Sequence, residues 1–196
     1  MGTAQPLIAA GDDDARAAET LLVARAQSGD TRAYDALVSL HLRRVVAIAR
    51  SIVRNPADAD DLAQEAFVKA YRHLPRFRVG EPFAPWIHRI VTNLALDMQK
   101  HRTRFPHEPL GEQAPAARRD DADAAAVGGE IARRIAAALD ELPDMQRLVA
   151  RLHLVEEFEH AEIAAMTGLS EGTIRSHLSL ARKKLKERLA DLYDHD

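Results

Sequence analysis

The sequence predicts an all-α fold of two small helical domains joined by a flexible linker, the C-terminal one a helix-turn-helix, and three observations carry that prediction. Alanine, leucine, arginine and glutamate dominate, glycine is held to 9 residues and the β-branched residues are scattered, a balance that favours helices over a sheet. Apolar residues recur at spacings of three and four along most of the chain, as helices burying one face require. That pattern lapses over residues 105–129, where Pro106, Pro109, Pro115, Gly111, Gly128, Gly129 and an alanine-rich run have the composition of a linker.

Taken in order, residues 1–18 have weak periodicity and an acidic run and are expected to form a flexible tail. A helix is predicted after Thr20, ending near Gly29. The next, over residues 31–53, has Tyr34, Leu37, Val38, Leu42, Val45, Val46, Ala49 and Ile52 as its apolar set. Asn55 can cap the third helix and Pro56 suits its first position, where no N–H is needed. Asp58, Asp60 and Asp61 then face the positive end of the helix dipole. Pro75 ends this helix, residues 76–83 read as a basic, aromatic loop, and a fourth helix is predicted over about residues 84–101. These four make the first domain, residues 19–104. The second, residues 130–192, is predicted to hold helices near 130–142, 143–155, 160–167 and 170–189. Between the last two, Gly168 can end one helix, Leu169 can pack inward and Ser170 can cap the next, the grammar of a helix-turn-helix.

Composition also excludes. With no cysteine, disulfides, thiolate metal sites and cysteine nucleophiles are absent, which fits a cytoplasmic protein. No secretory signal and no apolar run of roughly 20 residues is present, so no direct membrane insertion is expected. The histidines form no compact ligand motif, Asp61 and Glu65 lack a third ligand, and there is no phosphate-binding glycine loop or nucleophile elbow. No cofactor, no metal and no catalytic residue is therefore expected, and the chain is predicted not to be an enzyme. The formal net charge of −3 hides a segregation. Acidic residues gather at 12–14, 58–65 and 120–123, basic ones at 72–104 and 175–188, leaving two local basic surfaces.

Three constellations are candidate sites. Glu171, Gly172, Thr173, Arg175, Ser176 and Ser179 lie at the start of the last helix, followed by Arg182 and Lys183. That is where a recognition helix meets base edges and phosphates in a major groove, although helix-turn-helix folds also bind proteins. Arg76, Phe77, Arg78, Phe83, Trp86, His88 and Arg89 combine cations and aromatics suited to stacking and neutralising single-stranded nucleic acid, while Phe83 and Trp86 also fit a core. Asp61, Gln64 and Glu65 form an acidic edge that is either a solvated face or a protein-docking surface.

The motifs NPADADDLAQEAF at residues 55–67, FAPWIHRIVTNLALD at 83–97, and EIA at 162–164 followed by GTIRSHL at 172–178 resemble, in order and separation, the extracytoplasmic-function (ECF) group of bacterial sigma factors within the sigma-70 family. The resemblance covers residues 20–189. It implies a factor that carries core RNA polymerase to promoter DNA, with Asp61, Gln64 and Glu65 docking on the clamp helices of the largest polymerase subunit. It implies that Arg76, Phe77, Arg78, Phe83, Trp86, Arg89 and Asn93 belong to the surface that opens and reads the −10 element. The second domain would read the −35 duplex, with Arg175, Ser176 and Ser179 as contacts, and touch the flap of the other large subunit. It also implies an anti-sigma factor as partner, often one that holds the factor at the membrane indirectly. The chain departs from the family at His177 and Leu180, where basic residues are frequent, and at the turn Arg78-Val79-Gly80.

Overall fold

The computed structural model describes residues 9–53, 55–104 and 126–190. These form α1 (Ala9–Gln27), α2 (Thr31–Ile52), α3 (Pro56–His73), a 3-10 turn (Leu74–Arg76), α4 (Phe83–Arg104), α5 (Ala126–Asp140), α6 (Asp144–Leu154), α7 (His160–Thr167) and α8 (Glu171–Arg188). Residues 1–8 of the predicted tail and 105–125 of the predicted linker lie outside the described residues, whereas residues 9–18 of that tail are helical.

Local chemistry sets most boundaries. Asp30 accepts the Ala33 N–H at 3.2 Å to start α2, and Asn55 accepts the Ala57 N–H at 2.9 Å with Pro56 as the first residue of α3. Pro143 precedes α6, one position earlier than predicted. Two helices reach further than the sequence suggested. α1 begins at Ala9, before Thr20, because Asp14 to Ala18 are all exposed and supply no apolar stripe to detect. α5 begins at Ala126 and takes in Gly128 and Gly129, a pair whose low helix propensity reads as linker.

In the first half, α2, α3 and α4 pack mutually around Leu37, Val45, Ile48, Leu62, Ala66, Phe83, Ile87 and Val91, with α1 on α2. Leu42, predicted to be apolar core, is exposed, and His41 is buried instead because its Nε2 meets Glu19 Oε1 at 2.7 Å. Tyr34 donates its hydroxyl proton to the Phe67 carbonyl at 2.6 Å, and burial lifts its pKa to about 12. In the second half α8 packs on α6 and α7, and Ile163, Ile174 and Leu178 are buried at the helix-turn-helix.

The two halves share one core. α7 packs against α4 and α6 against α2. The turn after α6 places Glu157 in the left-handed region at φ 58°, where a non-glycine residue costs roughly 1 kcal/mol, and so aims Phe158 at the first half. Phe158 is 2% exposed, with the Arg44 guanidinium 3.8 Å above its ring and the His88 ring 5.4 Å away edge-on. Arg151 Nη1 adds a hydrogen bond to the Arg50 carbonyl, in the last turn of α2, at 3.1 Å.

Candidate nucleic-acid interface

Three exposed faces emerge, and the neighbouring residues explain why each is available. On α3, Asp61, Gln64 and Glu65 point outward together. The adjacent acids are already engaged: Asp58 binds Arg102 at 2.7 Å and Asp60 binds Arg50 at 3.2 Å. Asp61 and Glu65 have no ion-pair partner among the described residues, so their charge is available to a partner. The same face continues through exposed Val68, Tyr71 and Arg72, beside a groove shared with Tyr34 and Phe67. The sequence search passed over Val68 and Tyr71, though Val68 lies three and seven residues beyond Glu65 and Asp61 and therefore on their side of the helix.

At the start of α4 the aromatic residues form one cluster. Phe77 and Trp86 stand 4.6 Å apart centroid to centroid, Phe83 and Trp86 5.5 Å, and Phe77 and Phe83 6.0 Å. Phe83 is fully buried. It is therefore the floor of this surface and not a base contact, because the first residue of α4 is turned into the core against His41, at 5.3 Å. Phe77 and Trp86 are half-buried, each keeping part of its surface in solvent. Arg76, Arg78, Arg89 and Asn93 are exposed, with Arg89 and Asn93 one turn apart on the same side of α4. Arg78 comes only within 4.0 Å of Glu81. Gly80, at φ 96°, makes the turn that leaves Val79 exposed at its tip.

His88 does not join the cationic surface. Burial above all, and then the neighbouring charges of His41 and Arg44, lower its pKa to about 4, so it is neutral near pH 7. Its Nε2 and the Thr92 hydroxyl, one turn on, are buried with no hydrogen-bond partner among the described residues.

On α8, Glu171, Gly172, Thr173, Arg175, Ser176, Ser179, Arg182 and Lys183 are all exposed. Gly168 takes φ 74° to end α7, Leu169 is half-buried and Ser170 Oγ accepts the Thr173 N–H at 3.1 Å, as the sequence indicated. Ser176 Oγ donates to the Gly172 carbonyl at 3.0 Å, and Glu171 approaches Arg175 at 3.6 Å. This exposed pair, worth little in water, leaves the guanidinium free to exchange partners. His153 and His160 meet at 4.8 Å between rings, and among the described residues no three His, Cys, Asp or Glu groups could hold a metal ion. No helix among the described residues is long and apolar enough to cross a membrane.

Comparison with known proteins covers both halves. A family profile described as Sigma-70 region 2 matches residues 37–105, and one described as Sigma-70, region 4 matches residues 132–185. The ECF RNA polymerase sigma factor SigM of Mycobacterium tuberculosis is 34% identical over 187 residues, 95% of this chain and 92% of that protein. The ECF RNA polymerase sigma factor SigE of Mycolicibacterium smegmatis is 35% identical over 159 residues, where the match takes in 80% of this chain but only 62% of the relative's length. Among solved structures, CnrH in complex with the cytosolic domain of CnrY is 30% identical with a TM-score of 0.63, covering 91% of this chain and 99% of CnrH.

Proposed function

Because the chain belongs to the ECF group of sigma-70 family sigma factors, a class of non-catalytic specificity subunits, we propose that it docks on core RNA polymerase, reads a −35 and a −10 element and stabilises the opened promoter. The observation that carries this reading is the simultaneous exposure of the acidic α3 face, the cation-lined loop before α4 and the basic face of α8 on one chain. Asp61, Gln64 and Glu65 supply the polymerase contact. Arg175, Ser176 and Ser179 face the −35 duplex, with Arg182 and Lys183 on phosphates. Trp86 and Phe77 offer ring surface to unpaired −10 bases, while Arg76, Arg78 and Arg89 neutralise the strand and Asn93 reaches a base edge. The likeness to CnrH, solved with the cytosolic domain of CnrY, supports an anti-sigma factor as a further partner and through it an indirect hold at the membrane.

The packed halves add a step to this mechanism. α4 and α8 both pack on α7, and at 22 and 18 residues they are about 33 and 27 Å long, so the two readers lie within a few tens of ångströms of each other. Elements at −35 and −10 are about 25 base pairs apart, roughly 85 Å along B-DNA. Both cannot be read in the packed state, and the halves must part when polymerase and promoter are engaged. Residues 105–125 allow it, since a chain of that length reaches about 70 Å when extended, to which the width of each half adds.

Transcription from a promoter library by purified core polymerase, with and without this protein, tests the function. Factor-dependent starts sharing two spaced upstream elements are expected. Their absence with an active, compatible core would favour a stand-alone DNA-binding regulator.

A further inference from the structure

The loop between α3 and α4 is fastened at both roots by α1, a helix that ends before the matched region begins at residue 37. At the first root, Gln27 Nε2 donates two hydrogen bonds, to the Leu74 carbonyl at 2.8 Å and to the Phe77 carbonyl at 2.6 Å. At the second, Glu19 Oε2 accepts the backbone N–H of Phe83 at 3.4 Å, while its other oxygen meets His41 Nε2 at 2.7 Å. Phe83 opens α4, so Glu19 places negative charge beside N–H groups that have no partner within the helix. Glu19 and His41 keep only 15% and 10% of their side-chain surface in solvent, and Gln27 is half-buried, so water competes poorly for these bonds. Glu19 and Gln27 are eight residues apart, about two helical turns or 12 Å on one face of α1. α1 thus sets the spacing of the two roots.

Between the roots the loop does little to hold itself. Among the described residues its internal backbone contact is the Glu81 N–H to the Arg78 carbonyl, at 3.2 Å. Yet it carries Arg78 and Val79, and its ends are the two phenylalanines against which Trp86 rests. A site that reads a strand without geometry of its own needs supporting residues that hold it to within about half an ångström.

We propose that Gln27 and Glu19 are positioning residues for −10 recognition: α1 touches no DNA but fixes the loop and, through Phe77 and Phe83, the setting of Trp86. This rests on the −10 reading proposed above. Gln27→Glu is nearly isosteric, cannot donate and sets a negative charge against two carbonyls. Glu19→Gln weakens the second root alone.

The test joins two measurements on the full chain. Amide hydrogen exchange on the free protein should accelerate over residues 77–83 in Gln27→Glu, with α2 and α3 unchanged. In the promoter library, the same variant should flatten base preference at the −10 element by about tenfold, while −35 preference and polymerase affinity hold. Glu19→Gln should give a smaller shift of the same kind. Unchanged exchange in the loop overturns the proposal, and so does faster exchange with the base preference intact or with starts lost in proportion at every promoter. A wild-type protein that supports no factor-dependent starts would instead condemn the promoter-reading function itself.

Discussion

The two surfaces proposed to face DNA are held in place in different ways. On α8 the hydrogen bonds are local, from the Thr173 N–H to Ser170 Oγ and from the Ser176 hydroxyl to the Gly172 carbonyl, over buried Ile174 and Leu178. Before α4 the support comes from far along the chain: Gln27 lies 47 and 50 residues from the carbonyls it holds, and Glu19 64 residues from the amide it faces. The difference fits what each surface is proposed to read. Duplex DNA presents base edges at a fixed geometry, so a rigid, well-started helix suffices, whereas an unpaired strand has no geometry until the protein imposes one.

The largest expected effect comes from removing what keeps the two surfaces side by side. Phe158→Ala empties a fully packed site and should cost about 3–5 kcal/mol in urea unfolding. A loss below about 1 kcal/mol would mean that the ring adds nothing across the halves. Acid should weaken the same junction. His88 titrates near 4 in the folded chain and near 6.5 when unfolded, so below pH 6.5 the unfolded chain takes up a proton that the folded one refuses. Stability should be unaffected by this group above pH 6.5 and fall by up to roughly 3 kcal/mol as pH drops to about 4. His41, itself paired with Glu19, and Arg44 are the charged neighbours that add to burial. A His88→Leu chain, compared by urea unfolding at pH 7 and pH 5, should lose less; equal losses would remove His88 as the source.

Single contacts sharpen the comparison between the readers. Arg175→Ala should cost about 1–3 kcal/mol, roughly a 5- to 150-fold drop in transcription from −35-dependent promoters, with promoter melting unchanged once the complex forms. Arg89→Ala should slow melting, followed by permanganate reactivity, and leave −35 binding intact. Swapped phenotypes would reverse the assignment of the two halves. Smallest is Ser170→Ala, a lost cap worth about 1 kcal/mol, expected to fray the start of α8 and leave the loop before α4 unmoved in hydrogen exchange.

Features encoded by neighbouring residues were legible in the sequence, and features encoded by distant ones were not. Asn55-Pro56 and Gly168-Leu169-Ser170 carry their helix boundaries within two or three residues, and the structure places both where the sequence put them. The exposure of Asp61, Gln64, Glu65 and the α8 face followed from helical periodicity. An aromatic residue at a helix start, by contrast, has no periodicity to say which way it points, so the resemblance offers Phe83 as a −10 contact although its spacing also fits the core where it lies. His41 broke the apolar pattern because its partner, Glu19, lies on another helix. The packing of the halves had one faint signal, Phe158 as a lone aromatic among Glu156, Glu157 and Glu159, but nothing local named Arg44 as its partner.

That the readers are stored together and must part is tested most directly by distance. The chain has no cysteine, so spin labels at Ser39→Cys and Glu187→Cys, both exposed, would report one pair of sites, one on each half. Pulsed electron resonance should give a short, narrow separation in the free protein and one longer by tens of ångströms in the complex with polymerase and promoter. The same separation in both states, or a long and broad one in the free protein, would contradict the packed pair.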